Sequence, residues 1–421
     1  MPAAYHSRLV ERVLDDYLSQ LSAVMVVGPR ACGKSTTLDR RAQTVVRLDR
    51  AAEAAVFAAD PDAALAGLAE PVLLDEWQNV PGVLGAVRRA VERDPRPNRF
   101  LVTGSVDAEL ENEVWPGTGR LTRVPMYPMT VREQFGSMAA ATFVDRLVAG
   151  EDLADPGTAP DLRGYVELAL QGGFPHPALN LTGVPRDAWL EGYVADLLTH
   201  DVEQADRTRS GEPRRGRRRD SRRLRRYFEA YALNSAGLAD DKTIYDAAGV
   251  NRLTAESYEE LLEDLFVTER VPAWASNRLK RLVGRPKRYV VDPALMAAVL
   301  RLDVPAVLRD GDVLGRVLDT FVAAQLRPET TLSKARPRMY HLRTKQARQE
   351  IDLLAELPAR RLIGFEVKAG AAPTREDARH LIWLRESHTS DFTAGVLFHT
   401  GSRLFRLDDR IVAAPISTLW A

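Results

Sequence analysis

The sequence predicts an α/β chain that opens with a three-layer sandwich built around a parallel sheet. Three observations predict it. The apolar run Val24-Met25-Val26-Val27 leads into the loop Gly28-Pro29-Arg30-Ala31-Cys32-Gly33-Lys34-Ser35 and then into the helix-compatible stretch STTLDRRAQ. A second apolar run, Val72-Leu73-Leu74, ends in Asp75-Glu76, and a third, in RFLVTGS, ends in Thr103-Gly104-Ser105. Continuous apolar runs suit strands buried on both faces of a parallel sheet. Their alternation with helical stretches over residues 20–105 gives the layered order.

With 421 residues the chain has room for about three domains of ~150 residues each. Its 45% hydrophobic and 28% charged content is that of ordinary globular protein, and 58 basic residues balance 58 acidic ones. No global field therefore selects a polyanion. No apolar run approaches the ~18 residues that cross a bilayer, and the stretch MPAAYHSRLVERVL has no signal-peptide core. The single cysteine, Cys32, excludes an internal disulfide framework and a cysteine-built zinc site. The expectation is a cytoplasmic, multidomain protein with no membrane partner.

The first module, expected over residues 1–160, carries the clearest chemistry. Gly28 to Ser35 satisfies G-x-x-x-x-G-K-[ST], the Walker A pattern, in its strand–loop–helix context. Glycines let backbone N–H groups curl around phosphates, and the helix that follows points its first N–H groups at the anion. The segment Gly28 to Thr36 would hold ATP, with Lys34 neutralising the β/γ-phosphates and Ser35 placing its hydroxyl on Mg²⁺. Such a site needs an acid at the end of a neighbouring strand, the Walker B position. Asp75 is assigned as the metal-side acid and Glu76 as the base that polarises the attacking water. The hydroxyl of Thr103 or Ser105 would reach the γ-phosphate or that water from an adjacent strand. Cys32, inside the loop, is expected to be alkylated with loss of ATP binding and to be shielded by ATP.

The segments GPRACGKSTTL, LLDEWQNVP, RFLVTGS, MYPMTVREQF and GGFP (Gly172–Pro175) together resemble bacterial and archaeal ATPases of the AAA+ superfamily joined to a C-terminal DUF4143-type region. The resemblance covers nearly the whole chain. It implies a P-loop NTP hydrolase and a ring or smaller homo-oligomer, and it places the strand-end Ser/Thr, Thr103 or Ser105, at the sensor position. It also marks Arg120, in GTGRLTRVPMYP, as a candidate for completing an ATP site in trans or in cis, with Arg123 competing.

Residues 138–162, rich in Ala, Asp, Gly and Pro, read as a surface insertion. Residues 161–226 read as a helical lid followed by an Arg-rich linker, with RGYVELALQGGFP and AWLEGYVADLLTHDV helical by spacing. From Arg207 to Arg226 arginine dominates, a block that repels itself and suits a polyanion; nucleic acid, DNA by preference, is the partner it favours. Residues 227–300 have the rhythm of helix, turn at Gly249, helix and hairpin, a winged-helix-like module. Glu256, Glu259, Glu260, Glu263 and Asp264 would line the exposed face of its second helix and oppose phosphate. A basic wing of Arg278, Lys280, Arg281, Arg285, Lys287 and Arg288 is the better phosphate contact, and docking of the module on the ATPase is an equal alternative.

Residues 301–421 read as helix (DVLGRVLDTFVAAQL), three strands (RMYHLRT, QEIDLLAEL, RLIGFEVKAG), helix (TREDARHLIWLRES) and strand (TAGVLFHT). That αβββαβ order, with Asp352 before Glu366-Val367-Lys368, resembles the PD-(D/E)xK core of restriction-endonuclease-like nucleases. Residues i and i+2 of a strand face one way, so Glu366 and Lys368 share a face. Asp352 and Glu366 would then meet at Mg²⁺ or Mn²⁺ while Lys368 activates a water. Relatives carry glutamate where Asp319 stands and commonly a second acid where Gln325 stands, and Arg343, Lys345 and Arg348 lie nearby. Two readings compete. One is an Mg²⁺-dependent ATPase whose C-terminal half binds or processes nucleic acid, a metal-dependent nuclease being one form of that processing. The other is a nucleotide-switched regulatory ATPase that binds a partner through an inactive nuclease-like fold. Remodelling of protein assemblies is a third, more general, reading.

Overall fold

The computed structural model describes residues 5–105, 119–138, 141–153, 155–201, 221–276, 284–344 and 348–421. Most of the Arg207–Arg226 block, Arg278, Lys280 and Arg281 of the expected wing, and Lys345 lie outside these residues.

The three apolar runs of the first module form strands β1 (Ala23–Val27), β3 (Val72–Asp75) and β4 (Phe100–Gly104), joined by β2 (Thr44–Arg47) and β5 (Thr122–Pro125). All pair parallel in the order β2-β3-β4-β1-β5. Each central strand is buried on both faces, as continuous apolar sequence requires. Met25, Leu74 and Val102 pack with Val83, Val87 and Val91 of the helix Gly82–Arg93 on one side. Val24, Val26, Leu73 and Leu101 pack with Val10, Leu14 and Leu18 of the helix Val10–Leu18 on the other. Two helical layers therefore enclose the sheet. Because the strands are parallel, their carboxyl ends meet along one edge, where the Gly28 loop, Asp75 and Ser105 converge.

One continuous core runs from Val131 to Trp420. It takes in the helices Leu162–Gln171, Val184–Asp196, Ser221–Leu233 and Pro293–Leu300, the long helix Gly311–Leu332, and one face of a six-stranded sheet. The order helix (Asp241–Ala248), Gly249 turn, helix (Arg252–Asp264) and antiparallel hairpin β6 (Thr268–Val271) with β7 (Lys287–Val290) is present. After the helix Gly311–Leu332 come β8 (Arg338–Arg343), β9 (Glu350–Glu356), β10 (Leu362–Val367), the helix Arg379–Ser387 and β11 (Phe392–His399), the expected αβββαβ succession. Strands β12 (Phe405–Asp408) and β13 (Ile411–Pro415) extend the sheet to the order β12-β13-β11-β10-β9-β8.

Two expectations change here. Residues 138–162 are more than a surface insertion: Thr142 caps a helix, Phe143–Ala149, whose Phe143 and Val144 are fully buried. The Phe143 ring sits 5.7 Å from that of Phe398. Phe143, Val144 and Leu147 have helical spacing, which the flanking Ala, Gly and Pro obscure. The basic wing also loses two members. Lys287 and Arg288 are 2% and 3% exposed, and Arg288 pairs with Glu259, which is buried rather than on an exposed acidic face.

Candidate nucleotide site and a second acidic cluster

The loop after β1 holds its shape through its own atoms and those of a distant segment. A side chain on Gly28 would put a Cβ 2.0 Å from the Met126 carbonyl oxygen, so only glycine permits this approach. Gly33 sits at φ +102°, in the left-handed region. The Lys34 ammonium donates to the Gly28 and Pro29 carbonyls at 2.9 and 2.8 Å, which places it inside the loop. Arg30, Ala31 and Thr36 face solvent. Cys32 is fully buried against Met126, with Sγ 3.6 Å from that carbonyl. The alkylation expectation therefore changes: maleimide should label Cys32 in the native chain at the same slow rate with and without ATP, and rapidly only in denaturant. Fast, ATP-protected labelling would place the thiol on the surface.

Ser35 donates to Asp75 Oδ1 at 2.7 Å, and Thr103 donates to the same oxygen at 2.6 Å. Asp75 Oδ2 faces Arg47 Nη1 at 3.4 Å. Glu76 has left-handed backbone angles, φ 59° and ψ 56°, rare for a non-glycine residue, which turn its carboxylate away from Asp75's ladder position. Its backbone N–H donates to Thr103 Oγ1 at 2.9 Å, and its Oε2 accepts from Ser105 Oγ at 3.0 Å and from the Gln78 amide. Gln78 donates also to Ser105 at 3.0 Å. Thr103 thus holds Asp75 and the Glu76 backbone, while Ser105 contacts the Glu76 carboxylate. A hydroxyl beside a carboxylate is a hard oxygen pair that suits Mg²⁺ bound together with substrate phosphates and water. Among the described residues no cluster of three or more His, Cys, Asp or Glu could cage a metal unaided.

Arg120 does not join this site within its own chain. It precedes β5, whose other end, Pro125, lies beside Val27. Parallel pairing puts Arg120 at the amino edge of the sheet, where it faces Glu92 at 3.6 Å. Arg47, at the end of β2, does sit at the carboxyl edge, beside Asp75.

The second acidic cluster differs from its expected arrangement. Lys287 Nζ lies between Asp319 Oδ2, at 2.5 Å, and Asp352 Oδ1, at 3.0 Å. Glu366 is 2% exposed; its Oε2 faces Lys368 at 3.5 Å and its Oε1 has no hydrogen-bond partner among the described residues. Burial, with the Asp352 charge beside it, pushes the Glu366 carboxyl up to about 8. Burial likewise lifts Asp319 to about 6 despite Lys287. Burial alone would depress Lys287, but Asp319 and Asp352 hold its ammonium well above the ordinary lysine value. The expected meeting of Asp352 and Glu366 at a divalent ion, with Asp319 in support, is replaced on the Asp352 side by a lysine: the Lys287 ammonium lies between Asp319 and Asp352, while Glu366 faces Lys368.

Residues 20–135 match the family model of an AAA domain, and residues 314–419 match that of DUF4143, a domain of unknown function. The chain joins an AAA domain to a C-terminal DUF4143 domain. Residues 162–306 match a further domain of unknown function, DUF8612, so the helices and hairpin before residue 306 belong to that match rather than to DUF4143. One protein of Mycobacterium bovis and one of Mycobacterium tuberculosis are each 28% identical to this chain over 404 residues, 94% of this chain and 81% of theirs. Both are named uncharacterized protein, and their names assign no activity. No helix among the described residues is long and apolar enough to cross a membrane.

A short segment, Met126–Glu133, ties the AAA domain to the rest of the chain. Arg8, 4% exposed, donates to the Cys32 carbonyl at 2.7 Å, to the Tyr127 carbonyl at 2.8 Å and to Glu133 Oε1 at 2.9 Å. One guanidinium thus joins the phosphate loop, the MYPMT segment and the Thr130–Glu133 capping box. Onward contacts reach both other domains. Met129 N–H donates to the Gly173 carbonyl at 2.6 Å, and Gly173 N–H to Asp292 Oδ2 at 2.8 Å. Val131 N–H donates to Gln325 at 2.8 Å, which gives a use to the glutamine found where an acid was expected. Tyr193 donates to the Arg30 carbonyl at 3.2 Å.

Asp292 carries a pH consequence. Burial raises its carboxyl from 3.8 to about 6, against the two N–H groups of Gly173 and Ala294 that favour the anion. A raised carboxyl favours the neutral form in the fold, so its contribution is full below about pH 4 and is lost as pH rises through 6. Asp292→Asn is expected to remove a fall in stability on the order of 3 kcal/mol between pH 4 and 7. Denaturation midpoints measured across that range check it; parallel wild-type and variant curves would refute the assignment.

Proposed function

We propose that the chain is a Mg²⁺-dependent ATPase whose nucleotide state is passed to its C-terminal half through the Met126–Glu133 segment. Lys34 and the loop amides bind the phosphates, and Ser35 with Asp75 supplies hard oxygens beside them. Ser35 and Asp75 would hold Mg²⁺, which would supply neutralisation of the phosphate charge. Glu76, held by Ser105 and Gln78, accepts the proton of the attacking water. Thr103 fixes Asp75 and the Glu76 backbone together, so a shift at either acid is felt by the other.

The observation that carries the coupling is Arg8, whose three hydrogen bonds link the Cys32 carbonyl of the loop to the Tyr127 carbonyl and Glu133 of the junction. Hydrogen exchange of the Glu76→Gln chain with and without ATP tests it. Exchange should change in residues 126–135 and 311–332 as well as in the loop; change confined to residues 24–36 and 72–79 would contradict coupling. Loss of ATP binding in Lys34→Ala, with the fold retained, is expected alongside.

The Arg207–Arg226 sequence favours nucleic acid, DNA in particular, as the partner of the C-terminal half. Binding that weakens steeply between 50 and 200 mM salt, on the order of a hundredfold or more for several phosphate contacts, supports that partner; salt-insensitive or absent binding favours a protein partner. Completion of the ATP site by Arg120 from a second copy belongs to the same proposal, since in its own chain that residue lies at the far edge of the sheet.

A further inference from the structure

We infer that Lys287 is the built-in cation of the DUF4143 acidic cluster, so that Asp319 and Asp352 form a clamp onto the β6–β7 hairpin rather than a divalent-metal site. Oxygen accounting carries the inference. Asp319 Oδ2 takes Lys287 and its Oδ1 accepts from the Tyr289 hydroxyl at 3.0 Å. Asp352 Oδ1 takes Lys287 and its Oδ2 accepts from the Val367 N–H at 3.1 Å. All four carboxylate oxygens are engaged, three of the four contacts coming from side chains of β7. A Mg²⁺ or Mn²⁺ ion binds carboxylate oxygens at about 2.0–2.2 Å in near-octahedral geometry. It would have to displace an ammonium lodged between the same two acids and then sit beside that like charge.

The clamp is also built where it can act mechanically. β7 enters through Lys287 and Tyr289 on one side, and on the other Arg288 pairs with Glu259 at 2.9 Å. Neighbouring residues of one short strand thus reach three elements, Lys287 the helix Gly311–Leu332 and β9, and Arg288 the helix Arg252–Asp264, as period-two geometry allows. Lys287 is buried at 2% exposure and its (CH₂)₄ stem crosses from the hairpin to β9 and the helix Gly311–Leu332. The DUF8612 match and the DUF4143 match are therefore joined by the cluster that would otherwise hold metal. On this account the C-terminal half performs no metal-dependent phosphodiester cleavage, and its role is binding or force transmission.

Manganese titration of the full chain, with free Mn²⁺ read by electron paramagnetic resonance, tests the inference. Wild type, Glu366→Gln and Asp352→Asn are expected to bind the same number of Mn²⁺ equivalents per chain, any ion at the Ser35–Asp75 pair being common to all three. Loss of one equivalent in either variant would overturn the clamp. If Asp352→Asn does not fold, Glu366→Gln decides alone, because glutamine replaces a carboxyl that makes no contact with Lys287. Mn²⁺-dependent DNA cleavage by wild type that Glu366→Gln abolishes would overturn it equally.

Discussion

Replacing Glu76 with glutamine is expected to leave ATP affinity within a few-fold of wild type and to slow turnover by about a hundredfold or more. The amide keeps the size and the hydrogen bonds to Ser105 and Gln78, so the loop and the Asp75 network stay in place. What is lost is the basic carboxylate that takes the proton from water; the amide oxygen is too weakly basic to do so. A base of this kind contributes roughly 10²–10⁴ in rate, which is ~3–5 kcal/mol of barrier. Single-turnover hydrolysis separates the two quantities: binding from the ATP dependence, chemistry from the plateau rate. Equal plateau rates in variant and wild type would transfer the role of base to another group. Ser105→Ala should slow turnover less, since it removes one support of the carboxylate and not the carboxylate itself.

Breaking the ion pair between Arg132 and Glu329 is expected to cost the most stability of any single junction change, roughly 3–5 kcal/mol. Arg132 is 1% exposed and Glu329 2%, and Nη1 meets Oε1 at 2.5 Å. The other glutamate oxygen accepts from the Phe143 N–H at 2.7 Å. Glu329→Ala therefore strands a buried guanidinium and a backbone donor together. Burial raises the Glu329 carboxyl, which Arg132 and the Phe143 N–H then offset, so the pair is costly to assemble and costlier to halve. Glu329→Gln keeps an acceptor for one donor and should lose less. Replacing both partners with apolar residues of similar volume should recover most of the loss, and denaturant midpoints on the two single variants and the double variant test this. A double variant less stable than either single would show that the pair acts beyond its own charge.

Sequence alone disclosed what is local. The loop from Gly28 to Ser35 is a spacing rule, and strand burial on both faces is a composition rule, so β1, β3 and β4 and the positions of Asp75, Glu76 and Ser105 were readable. Long-range partners were not. Arg8 lies 125 residues from Glu133, and nothing in YHSRLVERV marks it as the tie between loop and junction. Lys287 and Arg288 stand in a basic stretch, which reads as solvated charge until the acids that bury them, Asp319, Asp352 and Glu259, are known. Gly173, part of a signature of unknown role, is explained by contact: a Cβ there would lie 2.2 Å from the Met129 carbonyl oxygen. The helix Phe143–Ala149 was hidden for a simpler reason, since its three apolar anchors are outnumbered by loop-forming neighbours.

The account stands on phosphate binding by the loop after β1. Calorimetric titration of the folded chain with ATP in the presence of Mg²⁺, set against Lys34→Ala, measures it directly. One saturable site in wild type that disappears in the variant is the predicted result. Identical heats in the two proteins, or none in a wild-type chain whose helical and tryptophan signals are native, would contradict it.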